Sequence, residues 1–288
     1  MSISRLTKHS WAVVVGVVSA VVILIGVLLP QVAAAGDQRS YVAKPTIVLV
    51  HGAWADGSSW AGVVNELQEH GFTVLVPPNP LRGPIAGGDA AYLASFLNSV
   101  SGPVVLVGHS YGGFVITNAA TGNANVKALV YVDAYIPDLD QPLGLLTARS
   151  CLNVDTSKSF RPIPYTGGVD LYVQQAPNPP YAGFAACFAN GVGERQASVL
   201  FATQRPLSAA ALTDPSGPPA WATIPSWSLI GTQDRVIPPR DQLAMSHAAH
   251  AHVSTFNAGH LGLITDPDAV ATTIITAADA TAQQGTAR

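Results

Sequence analysis

The stretch Val104-Val105-Leu106-Val107-Gly108-His109-Ser110-Tyr111-Gly112-Gly113 decides the fold of this chain. Its four leading apolar residues have no polar alternation, which predicts a strand buried on both faces. The pattern Gly-x-Ser-x-Gly then predicts a sharp turn from that strand into a helix. Such a turn needs glycine on either side, because Ser110 must take a strained backbone conformation that crowds its neighbours. Ser110 is therefore the candidate nucleophile.

Further strands and helices alternate along the chain on both sides of this stretch. Apolar runs predict strands at 46–50, 73–76, 128–132, 226–230 and 252–256. Helix-like stretches fall at 59–70, 90–100, 112–120, 239–250 and 267–280. Strands that alternate with helices predict an α/β fold, with a mostly parallel, doubly wound sheet and right-handed crossovers.

Residues 136–221 interrupt this alternation. They are rich in proline, carry no clear strand pattern, and show helical signals near 170–175 and 194–205. A connection of this length is too long for an ordinary loop. We therefore predict a core domain formed by 41–135 and 222–282, with 136–221 inserted as a cap.

The first 35 residues have the pattern of a targeting segment. Arg5 and Lys8 precede the uncharged, mostly apolar run Trp11–Leu29, which Pro30 ends, and Ala33-Ala34-Ala35 offers a cleavage site. This order predicts a cleaved signal peptide, with a membrane anchor as the alternative. Either interpretation predicts a secreted or extracytoplasmic protein.

The two cysteines and the charge balance add to this prediction. In an oxidising compartment Cys151 and Cys187 predict a disulfide, the alternative being two buried free thiols. The net charge is −3, and no basic cluster suggests binding to nucleic acid or to a lipid surface. We expect a small-molecule partner, and membrane contact only if the leader is retained.

A second loop can supply the donors that a tetrahedral oxyanion needs. The strand ending Val48-Leu49-Val50 runs into His51-Gly52-Ala53-Trp54. We predict that the backbone N–H groups of Ala53 and Tyr111 form the oxyanion hole. His51 is interpreted as a buried residue that shapes the loop, and Trp54 either walls a substrate pocket or packs.

The candidate base and acid follow the last two strands of the predicted sheet. His260 is the last histidine in the chain and comes just after the strand at 252–256. Asp234 follows the strand at 226–230, which gives the chain order Ser, acid, His. Its carboxylate would accept the Nδ1 proton of His260. Asp133, directly after the strand at 128–132, is the rival acid.

Taken together, these motifs resemble the α/β-hydrolase superfamily, and most closely its small esterases, a branch with plant methylesterases, hydroxynitrile lyases and bacterial carboxylesterases. The matching stretches are His51-Gly52-Ala53-Trp54, 108–113, 231–238 and Ala258-Gly259-His260. The resemblance implies an α/β-hydrolase fold and a Ser110–Asp234–His260 triad.

Departures from related enzymes narrow the expected chemistry. Dehalogenases and epoxide hydrolases of this fold use Asp where this chain has Ser110. The similar lyases carry a Lys near the Asp–His pair and a hydroxyl residue in place of Ala53. This chain instead has Arg235 beside the acid and Leu261 after the base.

We therefore predict hydrolysis of carboxylic esters of small, rather apolar substrates through an acyl-enzyme, with no metal or organic cofactor. A lactonase, a perhydrolase or a C–C hydrolase could use the same triad. A non-catalytic ligand-binding homologue and a lipase or cutinase are further alternatives, although a large cap favours small soluble substrates.

Overall fold

The computed structural model describes residues 44–175 and 183–286. The predicted leader and the first residues of the predicted core, 41–43, lie outside this range. The strands are β1 Thr46–Val50, β2 Val74–Leu75, β3 Val104–His109, β4 Val126–Val132, β5 Phe160–Tyr165, β6 Gly168–Val173, β7 Leu207–Ser208, β8 Ser226–Gly231 and β9 His252–Phe256. Six of them form one parallel sheet in the order β2-β1-β3-β4-β8-β9.

Helices cover both faces of this sheet. They are α1 Ala61–Glu69, α2 Asp89–Asn98, α3 Tyr111–Ala119, α4 Leu143–Leu146, α5 Thr156–Ser159, α6 Glu194–Thr203, α7 Pro239–Ala248, α8 Gly262–Thr265 and α9 Pro267–Thr286. Right-handed crossovers put α1 on one face and α2, α3 and α7 on the other. The helix α9 packs against α1 and therefore shares its face. The predicted doubly wound α/β fold is confirmed.

The strand order reverses between β1 and β3. The chain leaves β1 towards β2 on one side, and later enters β3 on the other side of β1. Val50 of β1 pairs with Gly108 of β3, so the two strands end side by side. Ligand sites of open α/β sheets lie in the crevice at such a switch point. This topology brings the loop 51–54 next to Ser110.

The inserted segment 136–221 contains a second, smaller sheet that the sequence did not predict. β5, β6 and β7 pair antiparallel in that order, and the first two are joined by a two-residue turn at Thr166-Gly167. The predicted helix near 170–175 is wrong, because residues 168–173 form β6. The helical signal at 194–205 corresponds to α6.

Polar contacts fix the insertion to the core. The indole Nε1 of Trp54 donates to the carbonyl oxygen of Leu171 at 2.9 Å. Arg82 forms an ion pair with Asp170, with its Nη1 2.7 Å from Oδ1. Both contacts join loops at the carboxyl edge of the main sheet to β6, so the small sheet is held over that edge. Among the described residues, no helix is long and apolar enough to cross a membrane.

The structure contains the predicted disulfide between Cys151 and Cys187, whose Cα atoms lie 6.0 Å apart. The backbone N–H of Cys151 donates to the carbonyl of Arg235, the residue after the candidate acid. Cys187 is fully buried within the turn Phe184–Phe188. The bond therefore ties two parts of the insertion together next to the candidate site.

Removing this disulfide is expected to lower stability substantially. Closing a loop of 36 residues limits the unfolded chain and stabilises the fold by about 3–4 kcal/mol in the loop-entropy model. The double variant Cys151→Ala/Cys187→Ala should therefore melt about 10 °C lower than the oxidised protein. Thermal unfolding followed by circular dichroism measures this. Reduced wild type is the matched control, and equal melting temperatures for oxidised and reduced protein would contradict the expectation.

Candidate active site

The turn after β3 holds Ser110 in the strained conformation expected of a nucleophile elbow. Its φ is 53° and its ψ is −123°, outside the regions that L-residues favour. A Cβ on Gly112 would lie 2.4 Å from the carbonyl oxygen of Val50, and one on Gly108 would lie 2.6 Å from the backbone of Gly112. Only glycine fits at either position, which explains the spacing of the motif.

Three side chains form a continuous hydrogen-bonded chain at the carboxyl edge of the sheet. The Nε2 of His260 lies 2.9 Å from the Oγ of Ser110. On the other side of the ring, Nδ1 lies 2.9 Å from the Oδ2 of Asp234. All three residues are buried. The structure therefore brings together the three residues that the sequence nominated, although they are separated by up to 150 positions.

The hydrogen-bond partners of Asp234 show which nitrogen of His260 carries the ring proton. Its Oδ1 accepts the backbone N–H groups of Val236 and Ile237, at 2.8 and 3.0 Å. Its Oδ2 accepts the side-chain amide of Gln242 at 2.8 Å as well as the Nδ1 of His260. Four donors on two oxygens suit an ionised carboxylate, which can only accept. Nδ1 therefore carries the ring proton, and Nε2 is left to accept from the hydroxyl of Ser110.

The rival acid Asp133 has a different partner. Its Oδ1 accepts the backbone N–H of Gly231 at 2.6 Å, and the residue is fully buried with a φ of 44°. Burial, and after it the negative charge of Asp234, raise the pKa of the Asp133 carboxyl well above its usual range. A carboxyl group with a raised pKa tends to be neutral, and a neutral group stabilises a developing imidazolium less than a carboxylate does. This favours Asp234 as the acid.

The candidate oxyanion donors flank Ser110. Tyr111 begins α3, and the first N–H groups of a helix have no intrahelical acceptor. Ala53 follows β1 across the strand-order reversal, and it lines the same cavity as Ser110 and Tyr111. In the part of the chain that the structure describes, the N–H of Ala53 has no protein acceptor. Two backbone donors at a helix start and a loop can stabilise negative charge.

The side chain of Tyr111 is anchored in the protein interior. Its hydroxyl donates to the Oδ2 of Asp89 at 2.7 Å, and Asp89 also accepts the N–H groups of Arg82 and Gly83. Burial raises the pKa of the Tyr111 hydroxyl well above its usual range. This anchor holds the start of α3 in place beside the nucleophile.

Two further buried histidines shape the site, although they are not among the three hydrogen-bonded residues Ser110, His260 and Asp234. The Nδ1 of His51 donates to the carbonyl of Gly52, and its Nε2 accepts the N–H of Asn79. Burial lowers the pKa of His51 to about 4, so it is neutral. The Nε2 of His109 donates to the carbonyl oxygen of His260 at 2.8 Å. His109 therefore holds the backbone of the candidate base, a role that its place in the motif did not reveal.

The side chain of Asn190 bridges the loops that carry the candidate acid and base. Its Nδ2 donates to the carbonyl of Gln233 at 2.9 Å, and its Oδ1 accepts the N–H of His260 at 3.5 Å. Asn190 lies just after the turn that contains Cys187, so the insertion contributes to the alignment of the site. The sequence offered no signal for Asn190 or for Gln242, because a single amide forms no motif.

A cavity of about 40 Å³ opens beside Ser110. Ala53, Trp54 and Tyr111 border it near the serine, and apolar side chains of the insertion and the acid loop form further walls: Leu143, Leu152, Phe160, Leu207, Leu212 and Val236. The ring of Trp54 packs on Phe160 and on Phe188, with centroids 5.6 and 5.7 Å apart. Trp54 therefore both packs and lines the cavity, so the two interpretations of this residue are compatible.

A family model described as the alpha/beta hydrolase family matches residues 47–273. The chain belongs to this family. The match begins within β1 and includes Ser110, Asp234 and His260.

One relative of this chain in sequence is an esterase. A carbendazim-hydrolysing esterase of Nocardioides sp. (strain SG-4G) is 38% identical over 114 residues, which are 36% of this chain and 47% of that protein. The chain thus matches about half the length of this relative.

Solved structures with the same fold are more distant in sequence. A pyrethroid hydrolase from Sphingobium faniae JZ-2 is 22% identical, with 84% of this chain and 100% of that chain covered at a TM-score of 0.65. An extracellular alpha/beta-hydrolase from a Paenibacillus species is 20% identical, with coverages of 81% and 99% and a TM-score of 0.63. Polyneuridine aldehyde esterase is 18% identical, with coverages of 81% and 99% and a TM-score of 0.67. At these identities, the likeness establishes the fold.

Proposed function

We propose that this protein is a serine hydrolase that cleaves carboxylic esters of small, rather apolar substrates through an acyl-enzyme. The observation that carries the proposal is the hydrogen-bonded chain from Ser110 through His260 to Asp234, which starts at a strained elbow and faces a cavity. Strained backbone conformations are concentrated at functional sites. The esterase relative supports the same reaction class.

In the proposed mechanism, the Oγ of Ser110 attacks the ester carbonyl carbon while Nε2 of His260 takes the hydroxyl proton. The N–H groups of Ala53 and Tyr111 stabilise the oxyanion. The imidazolium, held by the carboxylate of Asp234, returns its proton to the departing alcohol. Water then attacks the acyl-enzyme with His260 as base, which releases the acid and restores Ser110.

The environment of the acid and base favours hydrolysis over cyanohydrin cleavage. The guanidinium of Arg235 donates to the carbonyl of Ala186 at 3.2 Å, and Leu261 is buried. Among the described residues, neither side chain forms a hydrogen bond or ion pair with Asp234 or His260, whereas the similar lyases carry a lysine near this pair. Ala53 likewise offers the oxyanion region only its backbone.

The cavity limits the size and the charge of the acyl group. The cavity of about 40 Å³ is small beside the roughly 300–1,000 Å³ of pockets that hold drug-sized ligands. The described side chains that line it are uncharged, and burying an unpaired charge is costly. A short, neutral acyl group therefore fits best.

A series of p-nitrophenyl esters tests this substrate range. We expect kcat/KM to be highest for acetate or butyrate and about tenfold or more lower for octanoate, because each group that does not fit costs about 1–3 kcal/mol. The half-ester of succinate, which carries a charge at butyrate length, should react more slowly than butyrate. Faster turnover of emulsified long-chain lipid would instead indicate a lipase, and absence of turnover of any ester would favour a binding protein.

Two leucines on the same short helix provide a matched pair of variants. Leu143 is buried against the cavity, whereas Leu145 is 63% exposed. The variant Leu143→Ala enlarges the cavity and should shift the preference towards longer acyl chains. The variant Leu145→Ala should keep the same chain-length preference as the wild type. An identical chain-length profile for both variants would show that this cavity does not bind the acyl group.

We further propose that the protein acts outside the cytoplasm. The disulfide between Cys151 and Cys187 is compatible with an oxidising compartment. The predicted signal peptide, which lies outside the described residues, supports the same location. Detection of the activity in culture medium, with a mature chain that begins near Gly36, would test this proposal.

A further inference from the structure

The side-chain amide of Gln242 has a fixed orientation between the two buried carboxyl groups. Its Nε2 donates to the Oδ2 of Asp234 at 2.8 Å and to the carbonyl oxygen of Ile237 at 2.9 Å. An ionised carboxylate and a backbone carbonyl can only accept. If the amide were flipped, its oxygen would face two oxygens that can only accept, those of Asp234 and Ile237, and no hydrogen bond could form. The nitrogen must therefore face Asp234.

This orientation leaves two buried oxygens without a partner. Among the described residues, the Oε1 of Gln242 and the Oδ2 of Asp133 are both buried and make no hydrogen bond with an assigned donor. The side chains of the two residues nevertheless lie within hydrogen-bonding reach of each other. A buried unpaired acceptor is costly, and one proton on Oδ2 of Asp133 satisfies both atoms.

We propose that Asp133 is a neutral carboxylic acid whose Oδ2–H donates to the Oε1 of Gln242. Asp133 is then a positioning residue: it fixes the amide that donates to Asp234, and Asp234 in turn orients His260. The assignment of a catalytic effect to this arrangement rests on the proposed ester hydrolysis. The protonation of Asp133 does not depend on it.

The surroundings of Asp133 agree with a neutral group. Its carboxyl is faced by the backbone N–H groups of Gly231 and Gly262 and by the amide of Gln242, and the charged group that acts on it is Asp234. The hydrogen bonds to these groups lower the pKa of Asp133, but burial and that negative charge are the two largest influences and raise it overall. Its positive φ of 44° is also one that Asp and Asn tolerate better than most residues.

Infrared spectroscopy tests the protonation directly. The difference spectrum of wild type minus Asp133→Asn at neutral pH should show the carbonyl band of a protonated carboxyl group, and the band should shift in D₂O. The introduced amide can accept from Gly231 and donate to Gln242, so this variant keeps the shape and the hydrogen bonds. The band of an ionised carboxylate in the same spectrum would overturn the proposal. This measurement needs no turnover and therefore stands apart from the test of ester hydrolysis.

Steady-state kinetics tests the positioning role. Asp133→Gly, which permits the positive φ and removes the side chain, should lower kcat by about 10²-fold through misalignment, with little change in KM. Asp133→Asn should restore kcat to within about tenfold of wild type, because its amide N–H replaces the carboxyl O–H. An Asn variant as impaired as the Gly variant, or a Gly variant with wild-type kcat, would overturn the role. If the Gly variant does not fold, a kcat of Asp133→Asn more than about tenfold below wild type would overturn the role.

Discussion

Replacing Ser110 by alanine is expected to lower kcat for p-nitrophenyl butyrate by about 10⁶-fold. The Oγ of Ser110 is the atom that forms the covalent bond in the proposed mechanism, and it lies 2.9 Å from the base that activates it. Without it, only the oxyanion donors and substrate binding remain, and these leave a residual rate above that of water alone. Loss of the hydroxyl should not impair the fold, because alanine fills the same site.

The matched control for this variant is Ser228→Ala. Ser228 is a buried, hydrogen-bonded serine like Ser110, but its Oγ accepts from Ser246 between the sheet and helix α7. Initial rates and melting curves of both variants separate chemistry from folding. A Ser110→Ala protein with more than about a tenth of the wild-type rate would show that another residue is the nucleophile.

Asp234→Asn is expected to lower kcat by about 10⁴-fold, the loss known for the corresponding change in a serine-protease triad. The Asn amide must still accept from Val236 and Ile237, so its nitrogen faces the Nδ1 of His260. Nδ1 then becomes the acceptor, the ring proton moves to Nε2, and His260 can no longer accept a proton from Ser110. The ring then holds the wrong tautomer, and the Nε2 of Gln242 loses the acceptor that it has on the Oδ2 of Asp234.

The Asp133→Asn variant is the natural comparison, because it makes the same chemical change at the neighbouring buried carboxyl group. We expect its kcat to stay within about tenfold of the wild-type value, whereas that of Asp234→Asn falls by about 10⁴-fold. Measuring both variants with the same ester decides which aspartate supports the base. A near-wild-type Asp234→Asn protein would transfer the role to Asp133.

The main sheet and the candidate triad were predictable because the signals are local. Buried parallel strands appear as apolar runs, and each candidate residue lies in the loop that follows one of them: Ser110 after β3, Asp234 after β8 and His260 after β9. Parallel strands place their carboxyl ends at one edge, so the order along the chain was enough to bring these residues together. The sequence left two possible acids, since Asp133 also follows a strand.

The insertion was less predictable because its strands break the usual rules. β5 carries Pro162 and Pro164, and proline in a run argues against a strand. β5 is the edge strand of its sheet, where the missing N–H groups need no partner. β6 shows little alternation of apolar and polar residues. A two-residue turn brings it against β5, and its pairing with β5 and β7 makes it a strand. Gln242 and Asn190 were missed for a related reason, as their contacts arise from tertiary packing.

The central claim, that Ser110 is an activated nucleophile, is tested most directly by reaction with a fluorophosphonate probe followed by peptide mass spectrometry. The account predicts a single adduct on Ser110, no adduct at this site in Ser110→Ala, and much slower labelling in His260→Ala. An adduct on another residue, or labelling of the Ser110→Ala protein at the wild-type rate, would contradict it.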